Sequence, residues 1–235
     1  MKKLFFLIIL MFLFIACGDT DSSDGTHHKY DPPSFELEVV GNVGFSPLET
    51  TFAILESTIQ ADKPYTFTWD FGDGSEVKEL KETEIIHIYD KQGIYTAKVT
   101  IEDNDGEVVT KEVSVRVKSN VDVSLQSINT DKITIDPGDD GEVSVKIINL
   151  GNEEGTEPFN VKLFFSTNQV LDEEDILIGN KEIATIESGG IKTETVEYST
   201  DSTITPGVYW LIAKVDTDNV YIEADESNNT KVFSS

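Results

Sequence analysis

The sequence predicts an all-β protein, two tandem antiparallel β-sandwiches that follow a signal peptide and a flexible tether. Three observations carry that expectation. Beyond Pro33 the hydrophobicity alternates with period two nearly everywhere, as in half-buried antiparallel strands. Turn pairs fall between the alternating stretches at short intervals: Asp105-Gly106, Pro137-Gly138, Gly189-Gly190, Pro206-Gly207 and Asp218-Asn219. No amphipathic helical pattern occurs after the N-terminal apolar run.

Lys2 and Lys3 precede an unbroken apolar run from Leu4 to Ala16, 13 residues long. A membrane span needs about 20 residues, so the run suits a secretory signal better than a transmembrane helix. It ends at Cys17, the only cysteine of the chain, which therefore has no internal disulfide partner. Phe14-Ile15-Ala16-Cys17 resembles a bacterial lipobox, with Phe14 where that family prefers Leu. The resemblance implies cleavage before Cys17, diacylglycerol on its thiol, and residues 1–16 as a lipoprotein signal peptide. An ordinary signal peptide with an incidental cysteine is the plainer alternative. Residues 17–33 (CGDTDSSDGTHHKYDPP) are almost free of apolar side chains and read as a disordered acidic tether. Asp19, Asp21 and Asp24 resemble the acidic export signals of some Gram-negative surface lipoproteins, and a generic polar linker explains them equally well.

The strands then follow in order. Tyr95, Ala97, Val99 and Ile101 alternate with polar residues; so do Val113, Val115 and Val117, and again Val143, Val145 and Ile147. One alternating stretch (EVSVRVK) nearly runs into the next (VDVSLQSI) at Lys118-Ser119-Asn120, which places a boundary there without a Gly- or Pro-rich spacer. The expected domains are 34–118 and 119–235.

Within the first, WDFGDG at 69–74 and HIYDKQGIYTAKVTIED at 87–103 resemble the PKD domain family. Trp69, Asp70, Gly72, Asp73, Gly74, His87, Tyr89, Gly93 and Tyr95 carry the match. The resemblance implies an Ig-like sandwich with Trp69 packed between the sheets and FGDG as the turn leaving its strand. Read from the residues alone, Asp70 and Asp73 are turn caps, with Gly72 and Gly74 supplying positive φ. A catalytic carboxylate pair would need a substrate cleft and an apolar pocket, and nothing nearby suggests either. His87 reads as a packed or turn-binding imidazole, since no Ser or Cys nucleophile can be matched to it.

The second domain resembles CARDB, a bacterial Ig-like domain associated with cell adhesion, over 146–179 and 206–230. Asn149, Gly151, Ser166, Thr167, Leu171, Asp172, Asp175, Gly179, Glu226, Asn228 and Asn229 fit its pattern, while Asn168 stands where Asp is common.

Composition narrows the function. With 18 basic against 44 acidic residues and a formal charge of −26, a nucleic-acid partner is not expected, and only a hydrophobic anchor would hold the chain at an anionic membrane. Calcium is the one cofactor considered, at Asp172 and Asp175, where four acids crowd one loop; Asp and Gly serving the backbone of hairpin turns is the alternative. No phosphate loop, zinc set or nucleophile elbow occurs, so no catalytic residues and no enzyme are expected. The expected function is a lipid-anchored envelope protein, at the outer-membrane surface, acting as an adhesion or interaction module for an extracellular protein or glycan. A glycan-binding lipoprotein of a polysaccharide-uptake system and a ligand-free structural spacer are the alternatives. Tyr198, Trp210 and Tyr221 cannot be assigned to a face from the pattern.

Overall fold

The computed structural model describes residues 32–132 and 134–234; the signal run, Cys17 and the tether up to residue 31 lie outside the described residues. Eight strands form the first unit: β1 (Leu37–Val40), β2 (Val43–Phe45), β3 (Leu48–Ile54), β4 (Thr66–Asp70), β5 (Lys78–Leu80), β6 (Glu84–Tyr89), β7 (Gly93–Glu102) and β8 (Val108–Lys118). Seven form the second: β9 (Val123–Asn129), β10 (Asp140–Asn149), β11 (Phe159–Ser166), β12 (Ile176–Ile183), β13 (Ile191–Ser199), β14 (Trp210–Val215) and β15 (Thr230–Val232).

The first unit is a sandwich of a three-stranded sheet, β1-β3-β6, and a five-stranded sheet, β2-β8-β7-β4-β5. Aromatic residues fill the space between the sheets. Trp69 meets Phe52 edge-on at 6.3 Å and is 1% exposed, with Phe35, Phe67, Phe71 and Tyr89 buried around it. One pairing departs from the antiparallel expectation: β2 runs parallel to β8, Val43 opposite Arg116. The cause is a crossover. After pairing with β3 in one sheet, the chain turns at Gly41 (φ +80°) and enters the other sheet. A Cβ on Gly41 would come within 2.7 Å of the Glu49 carbonyl oxygen, so a side chain there would strain the crossing.

The second unit reads as one ladder, β15-β14-β11-β12-β13-β10-β9, but it folds over on itself. A single residue pair, Gly179 with Tyr198, joins β12 to β13, and the two halves close on a core of Val145, Ile147, Phe159, Val161, Leu163 and Val215. Gly179 permits this closure because a Cβ there would lie 2.6 Å from the Glu197 carbonyl oxygen. Strand β11 buries Phe159, Val161, Leu163 and Phe165 on one face, as its alternation requires.

Side chains fasten the two units at a short junction. Gln92, in the β6–β7 turn, donates from Nε2 to the Val220 carbonyl and accepts the Ile222 N–H at Oε1, both at 2.8 Å. One carboxamide thus satisfies two backbone groups of the β14–β15 loop, as a neighbouring strand would. The Ser119 N–H donates to the Ile222 carbonyl (2.8 Å), and Asn120 Nδ2 donates to the Ser46 carbonyl (2.6 Å). The turn that presents Gln92 is itself held, since the Tyr95 hydroxyl donates to the Lys91 carbonyl at 2.8 Å. The Tyr95 ring lies over Gly93, where a Cβ would sit 2.6 Å from it.

Gln92→Ala leaves the Val220 carbonyl and Ile222 N–H without protein partners. The expected outcome is independent tumbling of the two units in backbone 15N relaxation, with each unit's unfolding free energy changed by less than about 1 kcal/mol. Unchanged rotational correlation times would show that Ser119 and Asn120 hold the junction without Gln92.

Candidate functional site

The carboxylates at the WDFGDG bend are occupied by the backbone. Asp70 Oδ1 accepts the Gly72 N–H at 2.9 Å and Asp73 Oδ1 accepts the Ser75 N–H at 3.0 Å. Gly72 and Gly74 have φ of +74° and +83°, and a Cβ on Gly72 would meet the Thr96 carbonyl oxygen at 2.4 Å. His87 stacks on Phe71 at 3.9 Å and pairs through Nε2 with Asp73 Oδ2 at 2.7 Å. Burial alone would raise Asp73, but the hydrogen bonds from Ser75 and His87 outweigh it and hold the carboxyl at about 2. The arrangement clamps a turn, and it places no nucleophile beside the imidazole.

The loop bearing Asp172 and Asp175 shows the same use of carboxylates. Asp172 Oδ1 accepts the Glu174 N–H, and Asp175 Oδ2 accepts the Asp172 N–H, each at 2.9 Å. Asp139 Oδ2 takes the Asp136 N–H at 3.1 Å and the Lys132 ammonium at 2.5 Å. Among the described residues no group of three or more His, Cys, Asp or Glu is assembled to hold a metal ion.

A denser polar knot lies beside the junction. Asn149, fully buried, accepts the Asp122 and Gly151 N–H groups at 3.1 and 2.9 Å and donates to the Glu153 carbonyl at 2.7 Å. Buried Asp216 accepts the Val220 and Tyr221 N–H groups, both at 2.9 Å. Glu223, 1% exposed, accepts the Val123 N–H and the Asn229 amide, each at 2.5 Å. Burial pushes Glu223 up to about 8, and the Asp216 and Glu226 carboxylates add to the rise. Sequence reasoning missed Glu223; a carboxylate in an alternating stretch looks like a surface position.

At the other end of the second unit the β9–β10 and β13–β14 loops and the segment after β15 border an open cleft of about 530 Å³. Ile135, Phe165, Ile178, Tyr209, Trp210 and Phe233 line it, together with Lys132 and Tyr198. Tyr209 stacks on Phe165 at 5.6 Å. Of the three aromatics left unassigned by pattern, Tyr198 and Tyr221 are each 3% exposed, whereas Trp210 is 39% exposed at the cleft. Tyr198 faces Gly141 across the ladder, and its buried hydroxyl has no hydrogen-bond partner. The polar groups of the first unit's turns, the knot and this cleft are thus three separate places, and only the cleft is open enough to admit a ligand.

Two measurements follow from these geometries. Because Asp172 and Asp175 are already bonded within their turn, millimolar Ca²⁺ is expected to leave the melting temperature unchanged within about 1 °C. A rise that disappears in the Asp172→Asn, Asp175→Asn double variant would place Ca²⁺ in that loop. For Glu223 the folded value of about 8 lies above the unfolded carboxylate value of 4.5, so the folded state binds the extra proton between them. Its contribution to stability is therefore fully present below about pH 4.5 and is lost as pH rises through about 8. Glu223→Gln is expected to remove that loss and to raise the melting temperature at pH 8 by a few degrees, with Asn229 turning its unpartnered Oδ1 to the new amide. Denaturant titrations of both proteins from pH 5 to 9 check this.

Comparison with known proteins places this geometry in families. Residues 40–117 match the PKD domain and residues 121–233 match CARDB. Over 69 residues the chain is 36% identical to the collagenase ColA of Clostridium perfringens, a match spanning 29% of this chain and 6% of that enzyme. The solved structures it resembles include the CARDB domain of a Pyrococcus furiosus protein in complex with di-metal ions, at 20% identity over 48% of this chain and 84% of that one, with a TM-score of 0.36. They also include a carbohydrate-binding module of the β-sandwich superfamily, at 12% identity over 86% of this chain and 98% of that one, TM-score 0.35. The chain is thus a PKD domain followed by a CARDB domain, two Ig-like β-sandwich modules of a typically non-catalytic kind.

Proposed function

We propose that this chain is a lipid-anchored, non-catalytic interaction module of the cell envelope, held through Cys17, displayed at the outer-membrane surface, and engaging an extracellular protein or glycan. The observation that carries the reading is the position of the open cleft. It lies at the end of the CARDB domain away from the Gln92 junction, and so away from the side on which the chain enters from its N-terminus. A binding surface held out from a membrane belongs at that end. The pinned junction supports the same reading, because it sets the direction in which the cleft is presented. The tether of residues 17–33 would add reach, on the order of 20 Å. The strongly negative balance keeps such a module from adsorbing to anionic headgroups or nucleic acid.

A second reading, a glycan-binding lipoprotein of a polysaccharide-uptake system, draws on the exposure of Trp210, since a sugar face can stack on an indole.

Protease shaving of intact cells, compared with a Cys17→Ala variant and blotted for the CARDB domain, tests the proposal. The expected result is digestion of the native protein on whole cells and loss of the variant from the membrane fraction. Protection until the outer envelope is broken would overturn surface display and leave a periplasmic binding or scaffolding role.

A further inference from the structure

The cleft at the far end of the CARDB domain has a composition unlike the rest of the molecule. The chain carries 44 acidic residues, yet the lining contains no carboxylate, carboxamide, guanidinium or imidazole. Its polar groups are the Lys132 ammonium, the hydroxyls of Thr130, Tyr209 and Ser234, the Trp210 indole N–H, and backbone, and the Tyr209 hydroxyl already donates to the Thr205 carbonyl. Lys132 is already paired with Asp139. Everything else that faces the space is aliphatic or aromatic, and the apolar character continues outside it: Val208 at the mouth is 93% exposed and Trp210 beside it 39%.

This lining suits a sugar poorly. A sugar ring entering the cleft would strip water from several hydroxyls, and buried hydroxyls without partners oppose binding. The planar acceptors and donors that take sugar hydroxyls in pairs are absent from the lining. An apolar side chain loses nothing comparable on entry and gains contact with Phe165, Ile178, Tyr209 and Trp210.

Around the mouth the charge reverses. Asp131 and Asp136 on the β9–β10 loop, Asp140 at the start of β10, Asp172, Glu173 and Glu174 on the β11–β12 loop, and Asp201 on the β13–β14 loop are all exposed. An apolar, acid-free hollow framed by acidic loops complements an apolar group with cations on either side. A free carboxylate on the ligand would be repelled by the surrounding acids.

We propose that this cleft is a docking site for a protein partner, which inserts an aromatic or branched aliphatic side chain flanked by basic residues. The inference deepens the binding function proposed above and rests on it, choosing protein over glycan as the occupant.

The two tryptophans make the test direct. Trp210 stands at the cleft and Trp69 is 1% exposed in the PKD core, so their indole N–H signals in a 1H–15N spectrum of the full chain are probe and internal control. The ligands are acetyl-Lys-Phe-Lys-amide, acetyl-Lys-Ala-Lys-amide, acetyl-Glu-Phe-Glu-amide and cellohexaose. The expected result is a saturable shift of Trp210, not Trp69, with Lys-Phe-Lys, at least about tenfold weaker binding of Lys-Ala-Lys, and weakening of Lys-Phe-Lys as salt rises. Val208→Lys changes a fully open position, carries no folding risk, and should abolish the shift. Equal binding of Lys-Phe-Lys and Lys-Ala-Lys, saturation by cellohexaose without a response to Lys-Phe-Lys, or no Trp210 response to any ligand would each overturn the proposal. None of those results bears on envelope display, which protease shaving decides separately.

Discussion

Every loop in these sheets leaves backbone N–H groups outside a ladder, and the chain meets that constraint mainly with carboxylates. Asp70, Asp73, Asp103, Asp172, Asp201 and Asp225 each accept the N–H two residues on, at Gly72, Ser75, Asp105, Glu174, Thr203 and Ser227. Asp216 takes two N–H groups further along its loop. An N–H bond to an ionised acceptor is shorter and stronger than one to a hydroxyl, so Asp is an effective stitch for short connections. Part of the net charge of −26 is therefore the electrostatic residue of turn chemistry. The excess has a consequence at long range, since acids committed to turns on every side repel anionic surfaces and attract basic ones.

The same device changes character where it is buried. Beside the junction, Asp216 and Glu223 lose their water, and burial drives both upward toward the protonated form. A buried carboxyl missing one partner is strongly destabilising, which explains why Asn229 and the backbone of Val123 converge on Glu223, and the Val220 and Tyr221 N–H groups on Asp216. The loop so fixed is the one that receives Gln92. Rigidity at one end of the CARDB domain is thus built from polar groups, while the other end is left apolar and open.

The strands were legible because period two survives in nearly every one of them, and Gly106, Gly138 and Gly189 do take the positive φ that their turn pairs suggest. Other features were not. Gly207 has no such backbone, and Pro206-Gly207 belongs to a longer loop between β13 and β14. The parallel partner of β2 depends on a crossover that three residues of sequence do not announce. In IIHIY, Ile86 and Ile88 face outward at 54% and 50% exposure while Ile85 packs on the core, because strand β6 closes a sheet edge and hydrophobicity alone does not mark its inner face. Gln92 and Glu223 are single polar residues whose partners lie 128 and 100 positions away in Val220 and Val123. The cleft draws its wall from most strands of its domain, so no local pattern contains it.

Gln92 also changes how the family motif in the first domain is to be understood. Gly93 and Tyr95 build a hairpin turn, and that alone would account for them in an isolated PKD domain. Here the Tyr95 hydroxyl holds the carbonyls of Lys91 and Gln92, and the ring over Gly93 fixes the path between them. The turn therefore presents the Gln92 carboxamide in one orientation, the only one in which it meets both the Val220 carbonyl and the Ile222 N–H. Residues that look like internal scaffolding of one sandwich set the attitude of the next. Hydrogen bonds of this kind are individually modest. Acting together across a connection with no flexible spacer, they make the pair of domains a lever, and the direction in which the cleft faces becomes a property of the sequence at residues 91–95.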